Sequence, residues 1–143
     1  MKEFVLDASV ILKWYLPDES HGEKALDYLK QYVSGAIGIM APSLLEYELL
    51  NALVVARRRG RLEGDQTVLA MSGFYELGIP LFPMTDLQGR ILHFTTLYRR
   101  SAYDASYLAL AETKKAPLVT ADESLYRSVS DQLPWVVWIG EGE

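Results

Sequence analysis

The stretch Phe4-Val5-Leu6-Asp7-Ala8-Ser9 decides the fold, because an apolar run ends at an acidic residue where a helix can begin. Glu3–Leu6 is predicted to be a strand, followed by a helical segment from Ala8 to about Leu16 that Pro17 ends. In open α/β sheets, ligands bind beyond the carboxyl ends of the strands. Asp7 is therefore predicted to lie at a ligand-binding edge of a sheet.

Short β-type runs alternate with helical stretches along the rest of the chain. The predicted strands are Glu3–Leu6, Ala36–Met40, Ile79–Phe82, Pro117–Thr120 and Trp135–Ile139. The later predicted helices are His21 to about Val33, Pro42–Arg59, Glu63–Leu77, about Asp86–Tyr98, Ala102–Lys115 and a short one from about Glu123. This alternation predicts an α/β fold with a parallel sheet, helices on both faces and right-handed crossovers. No linker or repeat divides the chain, so residues 1–143 are expected to form one domain.

Composition restricts the kind of site that this chain can build. It has 50% hydrophobic and 23% charged residues, as globular domains do, and no cysteine. The missing thiols exclude disulfides, zinc–thiolate sites and cysteine nucleophiles. The two histidines, His21 and His93, have no second histidine at ligand spacing. Any metal must therefore be held by oxygen.

The net charge of −5 argues against coating of nucleic acid by bulk electrostatics. Two arginine clusters could still form a local basic rim for a nucleic-acid backbone: Arg57, Arg58, Arg59 and Arg61, and Arg99 with Arg100. The first cluster could instead interact with a helix C-terminus. Asp7 interrupts the only candidate signal segment, and no apolar run is long enough to span a membrane, so a cytoplasmic protein is expected.

Four acidic side chains are candidate ligands for a hard divalent cation: Asp7, Glu48, Asp104 and Asp122. Three of them also have a structural explanation. Asp7 and Asp122 could be helix N-caps, and Thr120 with Glu123, like Ser101 with Asp104, matches the spacing of a capping box. Glu48 lies too deep in its helix to be a cap.

Glu48 lies at the margin of an apolar stripe, next to Leu45 and Ala52, whereas Glu46 lies on the opposite margin. A carboxylate beside the core is costly unless it is paired, hydrogen-bonded or bound to metal. Asn51, three residues on, could orient it. An ion pair with a distant basic residue is the alternative.

Clustered carboxylates repel one another, and a bound cation would keep them ionised. The cluster therefore predicts dependence on Mg²⁺ or Mn²⁺ and action on phosphate esters. Ser9 and Thr120 could supply hydroxyl contacts to water or phosphate, or could simply make turn and cap hydrogen bonds.

Four segments together resemble the motifs of the PIN-domain nucleases, the third in its VapC-toxin form. The segments are Val5-Leu6-Asp7-Ala8-Ser9, residues 42–53 (which carry Glu48 and Asn51), residues 101–112 (which carry Asp104) and residues 118–125 (which carry Asp122). They occur in order and span nearly the whole chain.

The resemblance implies a three-layer α/β/α fold with a five-stranded parallel sheet in the order 3-2-1-4-5. It also implies endoribonuclease activity, a homodimer and neutralisation by a cognate antitoxin, as for the toxin of a VapBC-type pair. In such a site Asp7, Glu48 and Asp104 would hold one Mg²⁺ or Mn²⁺. Asp122 would hold it through water, or bind a second ion.

Three alternatives remain open at this point. The same fold could serve as a non-catalytic RNA- or protein-binding module, or as an RNA-processing nuclease that is not a toxin. A doubly wound phosphoacceptor domain also gathers acids beyond a parallel sheet. It is disfavoured because Asp7 has no acidic neighbour and no lysine follows Thr120.

Overall fold

The computed structural model of the chain describes residues 1–16 and 18–141. Its strands are β1 (Lys2–Leu6), β2 (Ile37–Pro42), β3 (Leu81–Phe82), β4 (Leu118–Thr120) and β5 (Val136–Trp138). Its α-helices are α1 (Ala8–Ile11), α2 (Gly22–Val33), α3 (Leu44–Arg58), α4 (Gln66–Glu76), α5 (Gln88–Tyr98), α6 (Ala102–Lys114) and α7 (Glu123–Val129). Short 3₁₀ turns at Leu12–Trp14 and Met84–Asp86 follow α1 and β3.

The five strands form one parallel sheet in the order β3-β2-β1-β4-β5, as the resemblance implied. The chain moves outward from β1 to β3 and then returns to add β4 on the other side of β1. Because crossovers are right-handed, this reversal places α1 to α4 on one face and α5 to α7 on the other. Both α2 and α6 pack on β2, which is consistent with helices covering both faces.

Several boundaries differ from the sequence predictions. Pro42 is the last residue of β2 rather than the first turn of α3, because its backbone pairs with Phe82 in β3. The first helix is a single α-turn that tightens into a 3₁₀ turn, and Pro17, predicted to end it, lies outside the described residues. The helix predicted from Glu63 begins only at Gln66.

Two buried helices determine where the candidate acids lie. Residues 105–111 of α6 are all buried, and α6 packs on both β1 and β2. In α3 the side chains of Leu45, Leu49 and Leu53 are fully buried. Glu48 and Asp104 are therefore carried by helices that the core holds in place. None of the helices in the described part of the chain combines the length and apolar character that a membrane crossing needs.

The packing of α3 predicts a large difference between two of its leucines. Leu53 is fully buried, whereas Leu50 is 41% exposed. Leu53→Ala should lower the free energy of unfolding by about 2–5 kcal/mol, since it leaves a cavity in the core. Leu50→Ala, the matched control, should lower it by less than about 1 kcal/mol. Urea denaturation measures both, and equal losses would contradict this packing.

Candidate active site

Asp7 and Thr120 meet where the two central strands β1 and β4 end. Leu6 pairs with Val119 in the sheet, so the next residues along each strand face one another. Thr120 Oγ1 donates a hydrogen bond of 2.5 Å to Asp7 Oδ2. Asp7 is only 5% exposed and Thr120 is fully buried. This edge is where the strand order reverses, the usual ligand position in such sheets.

The other oxygen of Asp7 caps α1. Asp7 Oδ1 accepts hydrogen bonds from the backbone N–H of Ser9 at 3.1 Å and of Val10 at 3.3 Å. It also accepts one from Ser9 Oγ at 2.5 Å. Ser9 Oγ in turn accepts a hydrogen bond of 2.9 Å from the Ala121 N–H after β4. The predicted cap is confirmed, and it holds the carboxylate in one orientation.

Asp122 caps α7 and lies beside the same strand end. Its Oδ1 accepts a hydrogen bond of 3.1 Å from the Leu125 N–H, and its own N–H donates to Thr120 Oγ1 at 3.0 Å. The prediction of a capping box between Thr120 and Glu123 is wrong. Asp122 is the N-cap of α7, and the Thr120 hydroxyl donates to Asp7 instead.

Asp104 lies in the first turn of α6, after the N-cap Ser101. Ser101 Oγ accepts a hydrogen bond of 3.1 Å from the Asp104 N–H, as the capping-box spacing predicted. The Asp104 carboxylate binds Arg100 rather than returning to the cap. Arg100 Nε and Nη2 both donate to Asp104 Oδ2, at 3.1 Å and 2.9 Å.

Glu48 is half-buried in α3 and is joined to α6 by Tyr107. The Tyr107 hydroxyl donates a hydrogen bond of 2.6 Å to Glu48 Oε1. Asn51 is exposed and makes no hydrogen bond to Glu48 among the described residues. No arginine or lysine is hydrogen-bonded to Glu48 in that same part of the chain, so the ion-pair alternative is not what the structure shows.

The pKa shifts of Asp7, Glu48 and Tyr107 show that the four acids lie near enough to affect one another's charge. Burial raises the pKa of Asp7 to about 6, and the negative charge of Asp122 adds to the rise. Burial also raises the pKa of Glu48, with a contribution from the charge of Asp104, while the Tyr107 hydrogen bond opposes it. The pKa of Tyr107 is raised by burial and by the charges of both Glu48 and Asp7. Within the described part of the chain, neither Asp7 nor Glu48 accepts a hydrogen bond from a lysine or an arginine.

Three of the acids share a pattern in how their oxygens are used. Glu48 Oε1, Asp104 Oδ2 and Asp122 Oδ1 accept hydrogen bonds. Within residues 1–16 and 18–141, the second oxygen of each accepts no hydrogen bond. Each carboxylate is thus held at one oxygen and open at the other, which suits a set of ligands for a hard cation.

The side chains are not gathered as closely as bound ligands would be. Among the described residues, no three acidic or histidine side chains lie close enough together to hold an ion in this conformation. The fit to Mg²⁺ or Mn²⁺ therefore rests on the chemistry of the donors. They are all oxygens, two have raised pKa values, and three have an open oxygen.

Two members of this region were missed or misinterpreted from sequence. Arg100, expected to contact RNA, bonds Asp104, and its spacing of four residues from that acid is the signal for an ion pair. The Tyr107–Glu48 hydrogen bond joins residues 59 positions apart, so no local sequence pattern predicts it. In the other cluster Arg61 binds Asp18 and Glu19, while Arg57 to Arg59 are exposed at the end of α3.

The raised pKa of Asp7 predicts how stability without metal depends on pH. The folded chain keeps the Asp7 proton up to about pH 6, against 3.8 for an ordinary aspartate. The folded state therefore binds more protons between these values, and stability falls as pH rises through this interval. Asp7→Asn removes this dependence. In EDTA above pH 7, Asp7→Asn should exceed the wild type in free energy of unfolding by about 1–3 kcal/mol.

Urea denaturation at several pH values, with the exposed Asp86→Asn as control, measures this difference. The advantage of Asp7→Asn should shrink as pH falls from about 6 towards 4. An advantage that stays constant with pH would contradict the assignment to Asp7.

The sequence pattern of the PIN domain family matches residues 4–129 of this chain. Ribonuclease VapC9 of Mycobacterium tuberculosis is 34% identical to it over 96 residues, which are 67% of this chain and 74% of that protein. Ribonuclease VapC3 of Pyrobaculum aerophilum is 29% identical over 125 residues, which are 86% of this chain and 92% of that protein.

Two crystal structures share the fold. That of PAE2754 from Pyrobaculum aerophilum has a TM-score of 0.72 at 21% identity, covering 98% of this chain and 85% of that one. That of Mycobacterium tuberculosis VapC20, described as a sarcin-ricin loop cleaving toxin, has a TM-score of 0.63 at 15% identity, covering 88% and 95%. The matched motifs, the strand order and these likenesses agree: this chain belongs to the PIN-domain family, as a VapC-like member.

Proposed function

We propose that this protein is a Mg²⁺-dependent endoribonuclease, the toxin of a VapBC-type pair, acting in the cytoplasm. The observation that carries the proposal is geometric: Glu48, Asp104 and Asp122 are each held at one carboxylate oxygen, and the carboxylate of Asp7 is buried at the end of β1. Relatives named as VapC ribonucleases support the choice of RNA as substrate.

The ligand set follows from the oxygens that remain open. Glu48 Oε2, Asp104 Oδ1 and Asp122 Oδ2 would face Mg²⁺ or Mn²⁺. Among the described residues, Asp7 Oδ2 accepts a hydrogen bond from the Thr120 hydroxyl alone, so it keeps a lone pair for the ion or its water. When bound, the ion would activate water for attack on an RNA phosphodiester and offset the charge that develops on the phosphate.

The chain's own residues orient this set and keep it ionised. Ser9 and Thr120 donate to Asp7, and both bonds lower its pKa against the effect of burial. Their hydroxyls are therefore used for turn and cross-strand bonding, and we assign them to holding Asp7 rather than to phosphate. The Tyr107 hydroxyl likewise donates to Glu48 and lowers its pKa.

RNA binding cannot rely equally on all the arginines. Arg57 lies nine residues beyond Glu48 along α3, a distance of about 14 Å. Arg99 is exposed and adjoins the Arg100–Asp104 pair. We therefore propose that Arg99 contacts the backbone of RNA bound at the four acids. The α3 arginines would contact only RNA that extends beyond this site.

Protein partners would use the apolar side chains that the helices leave exposed. These include Tyr47, Leu50, Val68, Leu69 and Tyr75 on α3 and α4, and Leu92 and Leu97 on α5. Exposed apolar surface of this kind is typical of protein contacts. We propose that a second copy of the chain and a cognate antitoxin cover parts of it.

The ligand role of Glu48 is tested against Glu46 on the same helix. Glu46 accepts a hydrogen bond from Tyr75 of α4, whereas Glu48 accepts one from Tyr107 of α6. Glu48→Gln should reduce Mg²⁺-dependent RNA cleavage at least about 100-fold, because it removes an anionic ligand. Glu46→Gln should cleave like the wild type. Equal activities in the two variants would contradict the site.

Asp104→Asn should also abolish cleavage with little change in the thermal melting transition, and a fully active variant would remove Asp104 from the site.

Assays of the wild type distinguish a toxin from a non-catalytic module and from a processing nuclease. RNA binding without cleavage or metal binding would indicate a non-catalytic module. Cleavage without growth arrest on induction would indicate a processing nuclease rather than a toxin.

The Tyr107 hydroxyl should affect the pH dependence of cleavage. Its hydrogen bond lowers the pKa of Glu48, so Tyr107→Phe should raise that pKa further. The acidic limb of the cleavage-rate profile should then move to higher pH. Tyr75→Phe removes the matching hydrogen bond to Glu46 and should leave the profile unchanged. Coincident profiles for Tyr107→Phe and wild type would count against the role of this bond.

A further inference from the structure

Arg100 makes more directed contacts in this region than an exposed ion pair requires. Its Nε and Nη2 converge on one oxygen of Asp104, at 3.1 Å and 2.9 Å. The side chains of Arg100 and Asp104 are only 20% and 25% exposed. An arginine that donates twice from its planar guanidinium fixes a direction as well as a charge.

The third contact of Arg100 leads to another helix. Its Nη1 donates a hydrogen bond of 3.0 Å to Ser124 Oγ in the first turn of α7. Ser124 is two residues after Asp122, the N-cap of that helix. One guanidinium therefore joins the first turn of α6, which carries Asp104, to the start of α7, which Asp122 caps.

We propose that Arg100 is a positioning residue that sets the placement of Asp104 relative to Asp122 for the cation. It holds Asp104 by Oδ2 alone and so presents Oδ1, which accepts no hydrogen bond among the described residues. Through Ser124 it fixes the distance to the second acid. This inference rests on the proposed function, because it needs the carboxylates to bind metal.

A substitution that keeps the positive charge of Arg100 but loses its hydrogen bonds distinguishes an electrostatic role from a positioning role. A lysine at position 100 keeps the positive charge, but its single ammonium group cannot reproduce the two converging bonds to Asp104 and the third to Ser124. Arg100→Lys therefore separates geometry from electrostatics. Arg90→Lys is the matched control, since Arg90 also donates twice from its guanidinium to one carboxylate, that of Glu112, and has no hydrogen bond to Asp104 or Asp122 in the described chain.

The test is calorimetric titration of the purified full chain with Mn²⁺ alone, without RNA. Arg100→Lys should bind Mn²⁺ about tenfold more weakly than the wild type, the usual cost of losing a group that orients a metal ligand. Ser124→Ala keeps the Asp104 pair and loses only the tie to α7, so its loss should be smaller. Arg90→Lys should bind like the wild type. The Mg²⁺ concentration for half-maximal cleavage should rise in the same order, with the KM for RNA unchanged.

The outcomes separate this inference from the function on which it rests. A wild type that binds no Mn²⁺ would overturn the proposed metal site and the inference with it. A wild type that binds Mn²⁺, with Arg100→Lys binding equally well, would overturn the inference alone. If Arg100→Lys does not fold, as judged by its melting transition, Ser124→Ala decides: affinity equal to the wild type contradicts positioning through α7.

Discussion

The hydrogen bond between Thr120 and the buried carboxylate of Asp7 is the interaction on which the rest of the site depends. It crosses the boundary between β1 and β4, where the strand order reverses. Pairing of these strands brings the ends of segments 113 residues apart into contact. The helices that follow each strand then start at the same edge, and α3 and α6 bring Glu48 and Asp104 towards it. Without this junction the chain would carry separate helix caps and no common site.

The acids at this edge have two uses, one structural and one chemical. Asp7 and Asp122 cap helices with one oxygen, and Asp104 and Glu48 are held through Arg100 and Tyr107. Capping stabilises a helix by about 1 kcal/mol, which partly offsets the cost of gathering negative charge. Burial is the main cause of the raised pKa of Asp7, and the charge of Asp122 adds to it. A cation bound at these oxygens would favour the ionised form of both acids.

Much of this arrangement could be predicted from the sequence, because it follows from local patterns. The alternation of strands and helices, the cap at Asp7 and the position of Glu48 beside the apolar stripe of α3 all depend on neighbouring residues. Pro42 was misplaced because its pairing with β3 is a tertiary contact that a helix-start rule does not include. The hydrogen-bond partners of Glu48 and Asp104 were not predicted, for a related reason. Tyr107 reaches across helices, and Arg100 bonds an acid four residues away rather than RNA.

We propose that these carboxylates converge on one divalent ion at the carboxyl edge of the sheet. Anomalous diffraction from crystals of the wild type soaked in Mn²⁺ would locate the ion. A peak is expected within about 2.0–2.5 Å of the open oxygens of Glu48 and Asp104, with Asp7 and Asp122 bound directly or through water. No peak at this edge, or a peak held by other residues while all four carboxylates keep their present partners, would contradict it.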